Sequence, residues 1–326
     1  MITDIFFDAH LDLAMNARRG RDILATASAQ PVVENEIATV GLPDLIAGRV
    51  RCVCATIFCD PSVPSAFDEA EAQFDVYDQL RNAGFLLPPH SATELTDAPR
   101  AIVLIEGADC VRTRDDLQHF HARGARVIGL AWHATRYAGG TGQPGPLTSA
   151  GLEIARDIDQ LSMIHDASHL SEQSFYDLAR ATDGPMIASH SNCRFIVGVD
   201  VNERHLSDDM IRTIVKRDGV VGINFYDRFL LPHNEYGLRR ATLADVVRHV
   251  RHVCDIAGDT HHVGIGTDMD GGLGREQIPI EITSSADLPK LSDALLVGGF
   301  NSDDISRITF GNWARFFSRH LGYTWV

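Results

Sequence analysis

Ile5-Phe6-Phe7-Asp8-Ala9-His10-Leu11-Asp12 is a short apolar run that ends in two polar side chains, His10 and Asp12, separated by one residue. In extended backbone such a pair points the same way, so the imidazole and the carboxylate leave the end of a buried strand side by side. Together they can hold a divalent metal, since His, Asp and Glu are ordinary zinc ligands. Alone, the pair is equally a polar strand end that caps the next turn. Its meaning comes from how often the arrangement returns.

Apolar, β-branched-rich runs of strand length recur at 5–7, 50–57, 101–105, 127–131, 163–167, 185–188, 219–223 and 262–266. Between them, residues 66–83, 113–123, 148–161, 171–182, 207–217 and 243–257 carry helical spacing and good helix formers. Continuous apolar strands alternating with helices predict a parallel sheet covered on both faces, and eight such units predict a closed (β/α)₈ TIM barrel, α/β in class. An open doubly wound sheet is the competing architecture, but no Gly-x-Gly-x-x-Gly turn follows the first strand. With no linker, composition shift or charge run to divide it, the chain reads as one domain over 1–326. The glycine-rich stretch 137–146 reads as a loop, either a mobile wall of an active site or a plain surface connection. Residues 273–289 read as irregular, and 302–321 as a helix with Ser302 as its N-cap.

In a barrel, the C-terminal ends of all strands face one mouth. The first run delivers His10 and Asp12 there, the third Glu106, the fifth His169, the sixth His190 and the eighth Asp268. Three imidazoles and three carboxylates converging out of water are costly unless something binds them. A single catalytic zinc takes three protein ligands plus water, and five candidates remain even with Asp268 set aside. Two Zn²⁺ ions fit this inventory: one on His10, Asp12 and Glu106, the other on Glu106, His169 and His190, with Glu106 bridging. Ions about 3.5–4 Å apart would bring a shared water's pKa near neutrality and polarise a carbonyl, the equipment for hydrolysing an amide.

The bulk composition limits the partners. Of 326 residues, 29 are Lys or Arg and 44 are Asp or Glu, a net charge of -15 that repels nucleic acid and anionic membrane. Small-molecule partners are expected instead. Six cysteines without a CxxC pair suit a reducing, cytoplasmic setting, and neither a basic signal-type leader nor a bilayer-length apolar run is present. Base rates for soluble oligomers make a homodimer the default assembly.

The chain resembles the membrane (renal-type) dipeptidase family, zinc-dependent peptidases built on (β/α)₈ barrels of the amidohydrolase group. The likeness runs from Asp8 to about Phe317. It is carried by Asp8-Ala9-His10-Leu11-Asp12, Leu42-Pro43-Asp44-Leu45 with the turn at Gly48, Ile105-Glu106-Gly107-Ala108 and Leu147-Thr148-Ser149-Ala150-Gly151. It continues through Met163-Ile164-His165-Asp166-Ala167-Ser168-His169-Leu170-Ser171, Ile187-Ala188-Ser189-His190-Ser191-Asn192, Gly222-Ile223-Asn224-Phe225-Tyr226 and Gly264-Ile265-Gly266-Thr267-Asp268-Met269-Asp270-Gly271. The resemblance implies that His10, Asp12, Glu106, His169 and His190 are the metal ligands. It also implies that Asp268 takes a proton from the metal-bound water and passes it to the departing amine, and that Asp270 is structural.

Two positions depart from the family pattern. The family holds the substrate's C-terminal carboxylate with an arginine, a task suited to a planar bidentate donor. Arg204 occupies the corresponding helix entry, but the stretch after His190 is three residues longer than the pattern, so Arg194 competes for the role. The family's carbonyl-polarising histidine at the fourth strand falls on Trp132, with His133 one residue beyond, and a one-residue shift in extended chain turns a side chain to the opposite face. Tyr226 is a candidate lining residue of the substrate pocket. The expected activity is hydrolysis of an L-Xaa-D-Xaa or L-Xaa-L-Xaa dipeptide by a metal-bridging hydroxide. An N-acyl amino acid or a lactam is the alternative substrate, and a binding or scaffold protein on the same barrel the non-enzymatic alternative.

Overall fold

The computed structural model describes residues 5–89, 97–199 and 202–325. Each of the eight apolar runs forms a strand: β1 Phe6–Leu11, β2 Val50–Phe58, β3 Arg100–Glu106, β4 Ala125–Gly129, β5 Ile164–Asp166, β6 Met186–Ile187, β7 Val221–Ile223 and β8 Val263–Ile265. They pair in parallel in the order β6-β5-β4-β3-β2-β1-β8-β7, and a parallel bridge from Ala188 to Val221 joins the two ends. The sheet thus closes into a (β/α)₈ barrel. Strands β5 to β8 are shorter than their apolar runs because polar side chains take over the backbone at their ends. Asp166 Oδ1, for example, accepts the backbone N–H groups of Ser168 and Ser189, drawing both away from the ladder.

The six expected helices form as Ala66–Asn82, Arg114–Ala122, Ser149–Gln160, Glu172–Ala181, Asp208–Lys216 and Leu243–Ala257. A side-chain oxygen satisfies an N–H at the entry of each, from Ser65, Thr113, Thr148, Ser171 and Ser207 in the first five and from Asp245 Oδ2, which accepts the N–H of Thr242, in the last. The C-terminal segment departs from expectation. Asn301, not Ser302, is the cap, accepting from Asp304 N, and a π-helical turn at Arg307–Gly311 interrupts the helix before Asn312–Leu321.

Packing falls into two layers. Outward residues such as Val53, Ala55, Val103 and Ile105 meet the surrounding helices. Inward residues Phe7, Ala9, Cys52, Cys54, Ile102 and Leu104 meet Trp313, Phe316 and Phe317 of the last helix, which seals the barrel where its strands begin. Phe7 stacks on Phe317 with ring centroids 5.3 Å apart. Gly264 makes room for this plug: a Cβ there would lie 2.3 Å from Trp313 Nε1, whose N–H donates to Ile265 O.

His249, in Leu243–Ala257, is fully buried, and its Nδ1 accepts the N–H of Cys193 while Nε2 faces Leu230 O at 3.1 Å. Burial pushes its pKa down to about 3, so the folded chain keeps it neutral. The unfolded chain titrates near the ordinary value of about 6.5 and takes up a proton first, so this contribution to stability is lost as pH falls between those two values. His249→Gln can keep both hydrogen bonds without titrating. The gap in unfolding free energy between pH 7 and pH 5, measured in urea, should shrink by about 2 kcal/mol in that variant; an unchanged gap would show that His249 is protonated in the native state.

Candidate functional site

His10 lies within β1, Glu106 ends β3, and His169, His190 and Asp268 stand just beyond β5, β6 and β8. All are buried, and they meet around the Glu106 carboxylate. One oxygen, Oε2, lies 3.3 Å from His10 Nε2, while Oε1 lies 3.1 Å from His169 Nε2 and 3.2 Å from His190 Nε2. The two latter nitrogens are 2.9 Å apart. On the other flank, ligand atoms of His10, Asp12 and Asp268 lie within 4.8 Å of one another, and Asp268 Oδ1 is 4.0 Å from His10 Nε2. Thr56 Oγ1 donates to Asp12 Oδ1. Asn224 Nδ2 donates to Asp268 Oδ2 at 2.8 Å, and Thr141 Oγ1 meets His169 Nδ1 at 3.0 Å.

Backbone strain collects at the same place. His169, Asp268 and Asp270 adopt φ of 68°, 58° and 66°, a left-handed conformation that costs a residue with a side chain about 1–3 kcal/mol. Gly271 completes the turn, since a Cβ there would come within 2.0 Å of Asp268 Oδ1 and 2.8 Å of Asp12 Oδ2. Asp270 itself points away, ion-paired to Arg21 at 2.8 Å and accepting N–H groups from Thr39 and Val40.

The electrostatics follow from packing like charges out of water. Burial alone would raise Glu106, yet the charge on His10 and the contacts of the His169 and His190 imidazoles hold it well below the usual carboxylate range. Burial disfavours a charge on His10, but Glu106, Asp12 and Asp268 outweigh it and raise His10 to about 10. Burial, with Arg204 nearby, lowers His169 to about 3. Burial raises Asp268, His10 opposes, and Asp12 and Glu106 add to the rise, leaving it at about 8. His10 Nε2 has no hydrogen-bond partner of good geometry despite full burial. Borderline nitrogen donors and carboxylate oxygens closing on one point, with a buried nitrogen aimed into it, fit divalent cations.

The cluster floors a cavity of about 420 Å³. Arg204 lines it, 4% exposed, with its guanidinium 5.0 Å from the Phe229 ring and donating to His190 O and Ser191 Oγ. Arg194 does not line it; it is paired with Glu172 at 2.5 Å. Trp132 and His133 both do, along with Tyr226. The alternation expected of an extended chain fails there because β4 ends at Gly129, and His133 is held by its Nδ1 contact to Thr141 O at 2.6 Å. Thr141 belongs to the glycine-rich stretch, so 137–146 does form part of the wall. A larger apolar groove, about 830 Å³, runs between Leu243–Ala257 and Pro289–Val297, but neither metal-type cluster found among the described residues borders it. Sequence inspection passed over Asn224, Thr141 and Ser189; the signal was the polar residue inside Ile223-Asn224-Phe225 and Ala188-Ser189-His190, where the apolar run breaks.

Among known proteins, a metallopeptidase of Rhodobacter sphaeroides, solved with a phosphinate mimic of the dipeptide L-Ala-D-Ala, shares this fold with a TM-score of 0.83 at 24% identity, covering 98% of this chain and 99% of that one. A second solved structure, the metallopeptidase dipeptidase AC of the M19 family, gives 0.82 at 25% identity over 98% and 99%. An uncharacterized protein from the pqqA 5′ region of Klebsiella pneumoniae is 34% identical over 61% of this chain and 74% of its own length. An uncharacterized dipeptidase of Schizosaccharomyces pombe is 29% identical over 61% of this chain, and the match spans about half, 47%, of that relative. Among the described residues, no helix is long and apolar enough to cross a membrane. The family model for membrane dipeptidases, peptidase family M19, matches residues 1–320, and the chain belongs to that family of peptide-bond hydrolases.

Proposed function

We propose that the protein is a binuclear zinc dipeptidase that cleaves an L-Xaa-D-Xaa or L-Xaa-L-Xaa dipeptide, acting as one barrel domain in the cytoplasm. The observation that carries this reading is the divided Glu106 carboxylate, with His10 on one oxygen and His169 and His190 on the other. His10, Asp12 and Glu106 would hold one cation and Glu106, His169 and His190 the second. When bound, such a pair acidifies water and polarises a carbonyl.

The remaining steps belong to the chain's own groups. Asp268 Oδ1 faces the cluster while Oδ2 is held by Asn224, so it is placed to take a proton from the attacking water and return it to the leaving amine. Arg204, fixed by His190 O and Ser191 Oγ, offers its guanidinium to the substrate's carboxylate. His133 borders the cavity with its Nδ1–H committed to Thr141 O, so polarising the scissile carbonyl would take a proton on Nε2 as well, and Trp132, Phe58, Tyr226 and Phe229 wall the cavity against water.

The test is metal analysis with a substrate panel. Purified protein should carry close to two metal equivalents, lose turnover on chelation and regain it with zinc, and prefer dipeptides over N-acyl amino acids and lactams. Preference for the latter would replace the substrate assignment; activity indifferent to chelation would end the metal reading.

Separating the arginines needs one more comparison. Arg204→Lys should lower kcat/KM about 10–100-fold, mainly through KM, since a hydrogen-bonded charge pair contributes about 1.5–3 kcal/mol. Arg194→Ala should leave kcat/KM near wild type. The reverse pattern would move the carboxylate site to Arg194.

A further inference from the structure

We infer that the single hydroxyl of Ser189 sets the ring tautomer of two histidines at once, His10 and His190, and so presents both Nε2 lone pairs to the cations; the inference rests on the two-metal reading above. Ser189 Oγ touches Asp166 Oδ2 at 2.5 Å, His190 Nδ1 at 2.8 Å, His10 Nδ1 at 3.1 Å and, more distantly, Ser168 Oγ at 3.4 Å. A hydroxyl has one proton and two lone pairs, and an ionised carboxylate only accepts. The proton therefore goes to Asp166. Both lone pairs are left to accept, and the two Nδ1 atoms, at 2.8 and 3.1 Å, lie nearer to them than Ser168 Oγ at 3.4 Å, so the geometry gives both Nδ1 atoms the protons.

With a cation bound each imidazole is neutral, and a neutral imidazole protonated at Nδ1 has its free lone pair on Nε2. In both rings that atom faces Glu106, at 3.3 Å for His10 and 3.2 Å for His190. The opposite tautomer would aim an N–H at a cation and leave two acceptors facing each other at Ser189. The rings themselves pack with centroids 3.6 Å apart, which brings both Nδ1 edges to the same hydroxyl.

The backbone holds that hydroxyl still. A Cβ on Gly222 or Gly266 would fall 1.9 or 1.8 Å from Ser189 O, so β7 and the end of β8 close directly onto this residue. Asp166 is pinned in turn, its Oδ1 accepting the N–H groups of Ser168 and Ser189. One residue just beyond β6 thus serves a ligand of each proposed cation. Ser189 touches no reacting atom in this account and is a positioning residue.

Zinc affinity of the full-length protein, measured by competition with a chelator, tests the inference, with melting curves of each metal-free variant alongside. Ser189→Ala should weaken zinc binding about 10–100-fold, the usual cost of losing a partner behind a ligand. Ser168→Ala removes a hydroxyl that accepts the backbone N–H of His190 and the Ser191 hydroxyl but touches no imidazole nitrogen, and should bind zinc within a few-fold of wild type. Nitrogen NMR of the zinc-loaded wild type should show Nδ1-bound protons on His10 and His190. An Nε2-bound proton on either ring overturns the inference even if Ser189→Ala fails to fold; so does wild-type affinity in Ser189→Ala, or an equal loss in Ser168→Ala. A wild-type chain that binds no zinc sinks the metal reading itself, whereas one that binds zinc indifferently to Ser189 sinks only the tautomer assignment.

Discussion

Replacing Asp268 by Asn should lower kcat about 10²–10⁴-fold, the range over which a positioned acid–base group contributes, while leaving metal content unchanged. The variant is close to isosteric. Asn224 Nδ2 would still find the carbonyl oxygen of the new amide, so the left-handed turn at residue 268 and the packing of Gly271 against it survive. What is lost is the only chemistry the amide lacks, reversible protonation. In the metal-free site burial, and the Asp12 and Glu106 charges against His10, raise this carboxyl to about 8, and cations bound beside it would draw it down toward the ionised form that accepts a proton. Steady-state kinetics with metal analysis on the same sample decide the matter. Near-normal turnover with full metal would remove Asp268 from the proton path.

A second large loss is expected from Glu106→Gln. Its carboxylate faces three imidazole nitrogens within 3.1–3.3 Å, and the neutral amide keeps the volume but withdraws the charge from the point where both proposed cations would meet. A Gln amide also offers one oxygen rather than two, so the bridge is broken. Metal content should fall from about two equivalents to one or fewer, and activity by several orders of magnitude, beyond the 10–100-fold cost typical of a residue behind the ligands. Retention of both equivalents would show that the cations, if present, do not share Glu106. The two variants are complementary, since one should keep metal without turnover and the other should lose both.

The architecture was legible because the apolar runs are long, continuous and evenly spaced, and because residues such as Glu106 and His190 interrupt them at their ends. A parallel barrel leaves little choice about where strand ends go, so the meeting of His10, Asp12, Glu106, His169, His190 and Asp268 follows from topology. The wall of the cavity was less legible. Whether Trp132 or His133 faces inward depends on β4 stopping at Gly129, and periodicity does not mark where a strand stops inside an apolar run. Arg204 and Arg194 could not be separated by spacing, because the path of the segment between them, closed by the Cys193–Leu206 bridge, decides which guanidinium reaches the cavity. Ser189, Thr141 and Asn224 were missed for another reason: hydroxyls and amides are ordinary in loops, and only distance shows which of them sit behind an imidazole or a carboxylate. Asn301 displaced Ser302 as a cap because either residue type serves, and one residue of phase settles which.

The pairing of β1 with β8, and the plugging of the barrel by Trp313 and Phe317 against Phe7, has a consequence for synthesis. The opening strand leaves the ribosome long before β8 and the last helix exist, with only its β2 neighbour following soon after. At about 5–20 residues per second, some 15–60 seconds separate the emergence of Leu11 from that of Trp325, whose ring also packs on Phe7. During translation Phe6 and Phe7 therefore wait without their final neighbours, and the nascent chain has to keep that edge from self-association until the last turn of helix arrives to close it.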